Sequence, residues 1–311
     1  MRDPNADGLV AADHAPTMAG LNKGRVSRIL AWAAGLAAGW MLLIQLWAPT
    51  ITLPQNQFVG NVTKAERFIY GNGPLPVVVV GSSMVDSLDT VTNGRLQVLG
   101  MNGMSAREAL IVLLRSGRVP RRVAVELNGL VAAPNDAFIE RVFNPFWMPI
   151  RRHILALRTE YQPASVVMTL ARSRFGRGAS RQAMVSSTEA VADIRIAQLR
   201  ELYQQPPDME RLRASLESVR DSLAALERAG VRVQFFEYPL PHGLSDTPFH
   251  EARRAASADV LGPKAAAAFR FVEEDFRTRD GIHLTPEGQE AVARGLEKML
   301  LDASDGVPSG Q

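Results

Sequence analysis

A serine hydroxyl becomes a useful nucleophile only when a base takes its proton and a third group holds that base in place. Two short stretches of this chain carry such a set. Gly81-Ser82-Ser83 follows the β-branched run of residues 77–80, so Ser83 stands where a buried strand stops. Asp280-Gly281-Ile282-His283 lies roughly 200 residues further on. Its i, i+3 spacing lets the Asp280 carboxylate reach Nδ1 of His283 from one tight turn and leaves Nε2 free for Ser83. The chemistry this permits is attack of Ser83 on an acyl carbon, with His283 as the base and Asp280 fixing its tautomer. Such a reaction also needs hydrogen-bond donors aimed at the developing oxyanion, commonly worth about 3 kcal/mol each. The backbone N–H groups of Ser83 and Gly103 and the side-chain amide of Asn128 are the candidates. Asp246 and His250 also lie near each other, but Pro248 interrupts them and no strand end places them, so they read as surface residues. His14 and His153 carry no supporting context.

Positioning these groups requires strands that end at one edge. Residues 77–80 form the first. A second apolar stretch, residues 96–99, leads into Gly100-Met101-Asn102-Gly103, and a third, residues 123–127, ends at Asn128-Gly129. Ser105-Ala106-Arg107-Glu108 is a capping box, so a helix starts there and runs through Leu110, Leu113 and Leu114. Pro206-Pro207-Asp208 opens a helix on which Met209, Leu212, Leu216, Val219, Leu223 and Leu226 follow steps of three and four. Gly230 closes that helix at C′, and residues 231–236 form the next strand. Thr285-Pro286 caps a last helix with Ala291, Val292, Leu296, Met299 and Leu300 on one face. Strands alternating with helices predict an α/β fold, a doubly wound parallel sheet with helices on both faces. Reactive groups in such sheets gather at the carboxyl ends of the strands, and Ser83, Gly103 and Asn128 each lie just beyond a predicted strand end.

In that order, these residues resemble the four blocks of the SGNH (GDSL-like) hydrolase superfamily, which carry Ser, Gly, Asn and His. Gly81-Ser82-Ser83 looks like the first block, Gly100-Met101-Asn102-Gly103 the second and Glu126-Leu127-Asn128-Gly129 the third. Asp280-Gly281-Ile282-His283, followed by Leu284-Thr285-Pro286-Glu287-Gly288, is similar to the last and most specific block. The resemblance covers residues 76–300 apart from an insertion. It implies a flavodoxin-like sheet and ester or acyl-transfer chemistry, with Ser83, His283 and Asp280 catalytic, Ser83, Gly103 and Asn128 forming the oxyanion hole, and neither a metal nor an organic cofactor. Two departures stand out. Ser82 occupies a position where many members have Asp; variants with Gly-Ser-Ser occur among envelope-anchored relatives resembling D-alanylation and polysaccharide O-acetylation proteins. The third block also lacks the usual Gly-x-Asn-Asp ending.

The remaining composition bounds the setting. The 311 residues are 46% hydrophobic, enough for one large α/β core with appendages. Cysteine is absent, which removes disulfides and thiolate chemistry. A net charge of +3 without a basic-aromatic repeat argues against nucleic acid as a partner. Residues 29–47 contain no charge and would span about 28 Å as a helix, close to a bilayer core of about 30 Å. Trp32, Trp40 and Trp47 suit interfacial anchoring, and Lys23, Arg25 and Arg28 put the N-terminus in the cytoplasm by the positive-inside rule. The chain therefore divides into a cytoplasmic tail (1–28), disordered over residues 1–22, a single-pass anchor in the cytoplasmic membrane (29–49), a linker (50–75), an extracytoplasmic, periplasmic hydrolase-like domain (76–302) and a tail (303–311).

A largely helical insertion occupies residues 132–205, rich in arginine (Arg151, Arg152, Arg158, Arg172, Arg174, Arg177, Arg181). It reads either as a basic surface facing lipid headgroups or an anionic glycan, or as a cap with solvated arginines. The expected function is a membrane-anchored serine acyl-esterase or O-acyltransferase acting on an acylated envelope or exported polysaccharide. Its expected partners are an acylated glycan or small acyl ester, membrane lipid through the N-terminal helix, and a membrane acyl-donor protein or polysaccharide-synthesis complex. The alternatives are a non-catalytic glycan-binding or scaffold subunit, and a lysophospholipase or thioesterase.

Overall fold

The computed structural model describes residues 23–49, 51, 56–92, 94, 96–130, 135–175, 188–241, 243–271 and 276–302. The predicted disordered segment 1–22 with His14, the C-terminal tail 303–311, and Arg177 and Arg181 of the insertion lie outside the described residues. The chain forms two compact units, Met1–Ala48 and Pro49–Gln311.

In the first unit, helix α1 (Lys23–Trp47) begins ahead of the uncharged run, so Lys23, Arg25 and Arg28 sit in its first turns. The most apolar 18-residue window of Gly24–Trp47 has a mean hydropathy of 1.8, and the helix is long and apolar enough to cross a membrane by length and composition. Only 6% of that window is buried, and Trp32 and Leu46 are more than 70% exposed.

The second unit starts with helix α2 (Gln57–Tyr70), capped by Asn56, whose side chain accepts from the backbone N–H of Val59 at 2.9 Å. Residues 50–75 are therefore more than a linker. Val62, Ala65 and Ile69 recur at steps of three and four, and together with Phe68 this buried stripe joins the core. The chain then runs through β1 (Val77–Gly81), α3 (Ser83–Asp86), β2 (Gln97–Gly100), α4 (Ala106–Arg115) and β3 (Arg122–Glu126). The described part of the insertion is helical, comprising α5 (Asp136–Val142), α6 (Trp147–His153), α7 (Pro163–Phe175) and α8 (Thr188–Leu202). After it come α9 (Met209–Arg228), β4 (Arg232–Glu237), α10 (Pro248–Leu261), α11 (Pro263–Ala266), β5 (Phe269–Arg270) and α12 (Pro286–Asp302).

All four strand pairings are parallel, in the order β2-β1-β3-β4-β5. Alternation along the strands separates two cores. Val78, Val80, Leu99, Val123, Val125, Val233 and Phe235 face α2, α4, α5 and α9. Val77, Val79, Val98, Ala124 and Phe236 face α3 and α12. Helices thus cover both faces, as a buried parallel sheet requires. The local signals read from the sequence act as expected. Ser105 and Glu108 form a complete capping box at α4. Gly230 has φ +82°, its N–H donates to the Glu227 carbonyl, and the Val231 N–H donates to that of Leu226. These two bonds are a Schellman closure of α9.

The arginines of the insertion are not all solvated. Arg151 is buried and paired with buried Glu66 at 3.1 Å, Arg67 holds Glu160 at 2.7 Å, and the Arg158 guanidinium lies 4.8 Å from the centre of the Tyr70 ring. These contacts pin the insertion to α2, because a buried carboxylate such as Glu66 needs a charge partner.

Candidate active site

Gly81 at the end of β1 and Gly100 at the end of β2 are in register, so the turns after them open at the same edge of the sheet. The sheet order reverses at β1, and the crevice between the carboxyl ends of β1 and β3 is where open α/β sheets place their ligands. Ser83 lies there, as the first residue of the short helix α3, with Ser82 as its N-cap. No non-glycine residue of the described sheet unit has positive φ, so Ser83 carries no backbone strain of that kind.

His283 arrives from a turn closed by the antiparallel bridge Thr278–Leu284 and by hydrogen bonds from Arg279 N–H to the His283 carbonyl and from Thr285 N–H to the Arg277 carbonyl. Its Nε2 is 3.1 Å from Ser83 Oγ, and its Nδ1 is 2.7 Å from Asp280 Oδ2. The other carboxylate oxygen of Asp280 accepts the backbone N–H groups of His283 at 2.8 Å and Ile282 at 3.1 Å. Partial burial pushes the Asp280 carboxyl up. The hydrogen bonds from His283 backbone and ring and from the Ile282 backbone outweigh it and hold the carboxyl below the usual carboxylate range. Asp280 is thus an ionised acceptor at neutral pH, held by two backbone N–H groups and bonded to the ring through Nδ1. Gly281 makes the turn possible. It has φ +84°, and a Cβ there would lie 2.9 Å from the Arg195 side chain and 3.1 Å from the Ala192 carbonyl of α8. The insertion therefore packs directly onto this turn.

The two remaining oxyanion candidates reach the same edge. Gly103 has φ +64°, and Met104 after it lines the cleft described below. Its loop is clamped by α2. Asn61 donates to the Asn102 carbonyl at 2.8 Å and accepts the Asn102 N–H at 2.9 Å, while Asn102 and Lys64 both bind Asp86 of α3. Asn128 Nδ2 donates to the Tyr238 carbonyl at 3.1 Å, and its Oδ1 accepts the Tyr238 N–H at 2.7 Å. That pair fixes the amide against the end of β4 and leaves one Nδ2 hydrogen over.

Glu126 was not singled out in the sequence, although a charged residue between Val125 and Leu127 at a strand end is a signal. It is fully buried beneath the Ser82-Ser83 turn. Its carboxylate accepts the Ser82 backbone N–H at 2.6 Å and the Ser82 hydroxyl at 3.1 Å. Burial drives its carboxyl up to about 7, against the two Ser82 hydrogen bonds and the Arg253 charge, which lower it. The space is tight: a Cβ on Gly81 would overlap Glu126, and one on Gly129 would lie 2.8 Å from Ser82 Cβ.

A cleft of about 260 Å³ adjoins the triad. Met84, next to Ser83, and Gly281 and Ile282, next to His283, line it together with Asn128 and His250. The reading of His250 as a surface residue is therefore corrected: it is 4% exposed and packs edge-on to Tyr203, with ring centres 4.8 Å apart. α10 starts at Pro248, so the proline that breaks the sequence pattern is the helix start that turns His250 inward. Asp246 is exposed. No group of side chains suited to hold a metal ion occurs among the described residues. Comparison of the chain with protein-family models, curated proteins and solved structures found no match. The site is accordingly read from its own geometry.

Proposed function

We propose that this protein is a membrane-anchored serine acyl-esterase or O-acyltransferase. The observation that carries the reading is the continuous hydrogen-bond chain Ser83–His283–Asp280, with spacings of 3.1 and 2.7 Å, assembled from opposite ends of the domain. The sheet order β2-β1-β3-β4-β5 is that of flavodoxin-like sheets and adds support for the SGNH resemblance.

In this reading Ser83 Oγ bonds to the acyl carbon while His283 Nε2 takes the hydroxyl proton. The resulting oxyanion receives hydrogen bonds from the N–H groups of Ser83 and Gly103 and from Asn128 Nδ2. Collapse breaks the bond to the leaving oxygen, and His283 returns the proton to it. Water or a sugar hydroxyl then gives its proton to His283 and attacks the acyl carbon; the bond to Ser83 Oγ breaks, and His283 passes the proton to that oxygen. Asp280 stays ionised and balances the imidazolium. No step calls for a cofactor. Helix α1 supports attachment to the cytoplasmic membrane, and the positive residues in its first turns support an extracytoplasmic catalytic domain. There the acyl groups within reach are those of envelope or exported polysaccharides and of the proteins that supply them.

A fluorophosphonate probe tests the reading. The full-length protein should be labelled at Ser83 and should release nitrophenol from 4-nitrophenyl acyl esters. Ser83→Ala should abolish both with its melting temperature unchanged, a loss of at least about 10³-fold by analogy with other serine triads. Undiminished turnover by Ser83→Ala would remove Ser83 from the chemistry.

A further inference from the structure

The cleft beside Ser83 has an interior that the proton transfers above do not use. Its walls are mostly apolar, with Leu199, Leu240 and Leu244 among them. Tyr203 and Phe249 stack within it at 4.8 Å. His250 is the exception. It lines the cleft, it is nine-tenths buried, and neither ring nitrogen has a hydrogen-bond partner among the described residues. Burial and the nearby Arg253 and Arg254 charges push its pKa down to about 3, so the ring is neutral, with one N–H donor and one bare acceptor nitrogen. A buried polar group without a partner is costly, and such groups in a cleft are where ligands find orientation.

We propose that this cleft is the acyl-group subsite of the Ser83 site, and that it takes an uncharged acyl chain longer than acetyl, apolar along its body and bearing a hydroxyl or carbonyl oxygen that hydrogen-bonds His250. The inference rests on the acyl-transfer reading above. Three observations select this occupant. The cleft is lined by Met84 and Ile282, the chain neighbours of Ser83 and His283, and by the oxyanion candidate Asn128, so a group held in it lies next to the reacting groups. At about 260 Å³ it is smaller than the roughly 300–1,000 Å³ of sites for drug-sized molecules, which suits one substituent rather than a saccharide chain. Among the described residues no carboxylate, lysine or arginine lines it, and the buried guanidinium of Arg253, one turn along α10 from His250, favours an electron-rich oxygen at the imidazole over bare hydrocarbon.

The test uses the full-length protein in detergent with the 4-nitrophenyl esters of acetate, butyrate and 3-hydroxybutyrate. Nitrophenol release and the intact mass of the Ser83 acyl-enzyme are followed together, so that a transferase that excludes water is still read. The four-carbon esters should acylate Ser83 faster than acetate, and 3-hydroxybutyrate should exceed butyrate by about tenfold, the worth of one well-made hydrogen bond. His250→Phe should remove the preference for 3-hydroxybutyrate over butyrate, and His250→Asn, which keeps a donor and an acceptor, should retain part of it. Leu240→Trp, which fills the cleft, should reverse the preference for butyrate over acetate. A purely structural role for these residues would lower all three esters together and leave the ratios unchanged. Equal or faster acylation by acetate, or indifference to the hydroxyl, overturns the subsite while leaving the serine chemistry standing. Fluorophosphonate labelling without acylation by either four-carbon ester does the same. Absence of both labelling and acylation overturns the subsite and the acyl-transfer reading together.

Discussion

Ser82 faces a buried carboxylate, and that partner decides why a serine stands there. Glu126 can only accept hydrogen bonds when ionised, and Ser82 offers it two donors, its backbone N–H and its hydroxyl. An aspartate at 82 would supply one donor and set a second carboxylate against the first. At pH 8, above the Glu126 value of about 7, Ser82→Asp should therefore cost about 3–5 kcal/mol of stability, as an uncompensated buried charge does. Glu126→Gln should recover much of that loss in the double variant, because a glutamine amide can donate to the new carboxylate. Chemical denaturation of the four proteins gives the coupling, and simple additivity would refute it. Glu126 also makes stability depend on pH. The folded protein keeps its proton up to about pH 7, whereas the unfolded chain releases it near 4.5. The fold therefore loses stability as pH rises through that interval, by at most about 3 kcal/mol. Glu126→Gln should flatten this part of the profile and be the more stable protein at pH 8. A wild type whose stability relative to the variant does not fall between pH 5 and 8 would contradict the assignment.

The turn that carries Asp280 and His283 depends on an element far from it in sequence. α8 presses the Ala192 carbonyl and the Arg195 stem against Gly281, which is already in the left-handed region. A left-handed backbone costs an L-residue about 1–2 kcal/mol, and here the added methyl also meets backbone. Gly281→Ala should therefore lower kcat/KM by about tenfold or more, since small displacements of a base from its nucleophile are expensive. The melting temperature should fall only modestly, because most of the core lies elsewhere. Wild-type kinetics in this variant would mean that α8 does not constrain the turn. The insertion was legible as helical from its composition, but not as a wall of the site. Leu199 and Tyr203 reach the cleft only because α8 folds back over the sheet edge. The two asparagines that tie α2 to the Gly103 loop gave no signal in the chain, since Asn61 and Asn102 pair across 41 residues.

As a molecule, the protein joins an apolar helix to an α/β domain. A helix that leaves most of its large apolar residues exposed is favoured in lipid over water. The full-length chain should stay with membranes after alkaline carbonate extraction. Leu36→Arg with Leu42→Arg should release it, each arginine adding roughly 3 kcal/mol to the cost of insertion. Wild-type protein in the supernatant would remove the anchor. Because the chain has no cysteine, a single Glu217→Cys on the exposed face of α9 gives a clean label for orientation. A membrane-impermeant maleimide should modify it from the extracytoplasmic side.

Local order in the sequence determined a great deal here. Caps, β-branched runs and three-four apolar steps placed strands and helices because those signals act within one or two turns of chain. The Asp280–His283 pair was legible for the same reason, since both residues share one turn. The meeting of His283 with Ser83, the donation of Ser82 to Glu126 and the inward turn of His250 were settled only by tertiary structure. Each joins residues brought together by sheet order and helix packing, and no local spacing encodes a distance across the fold.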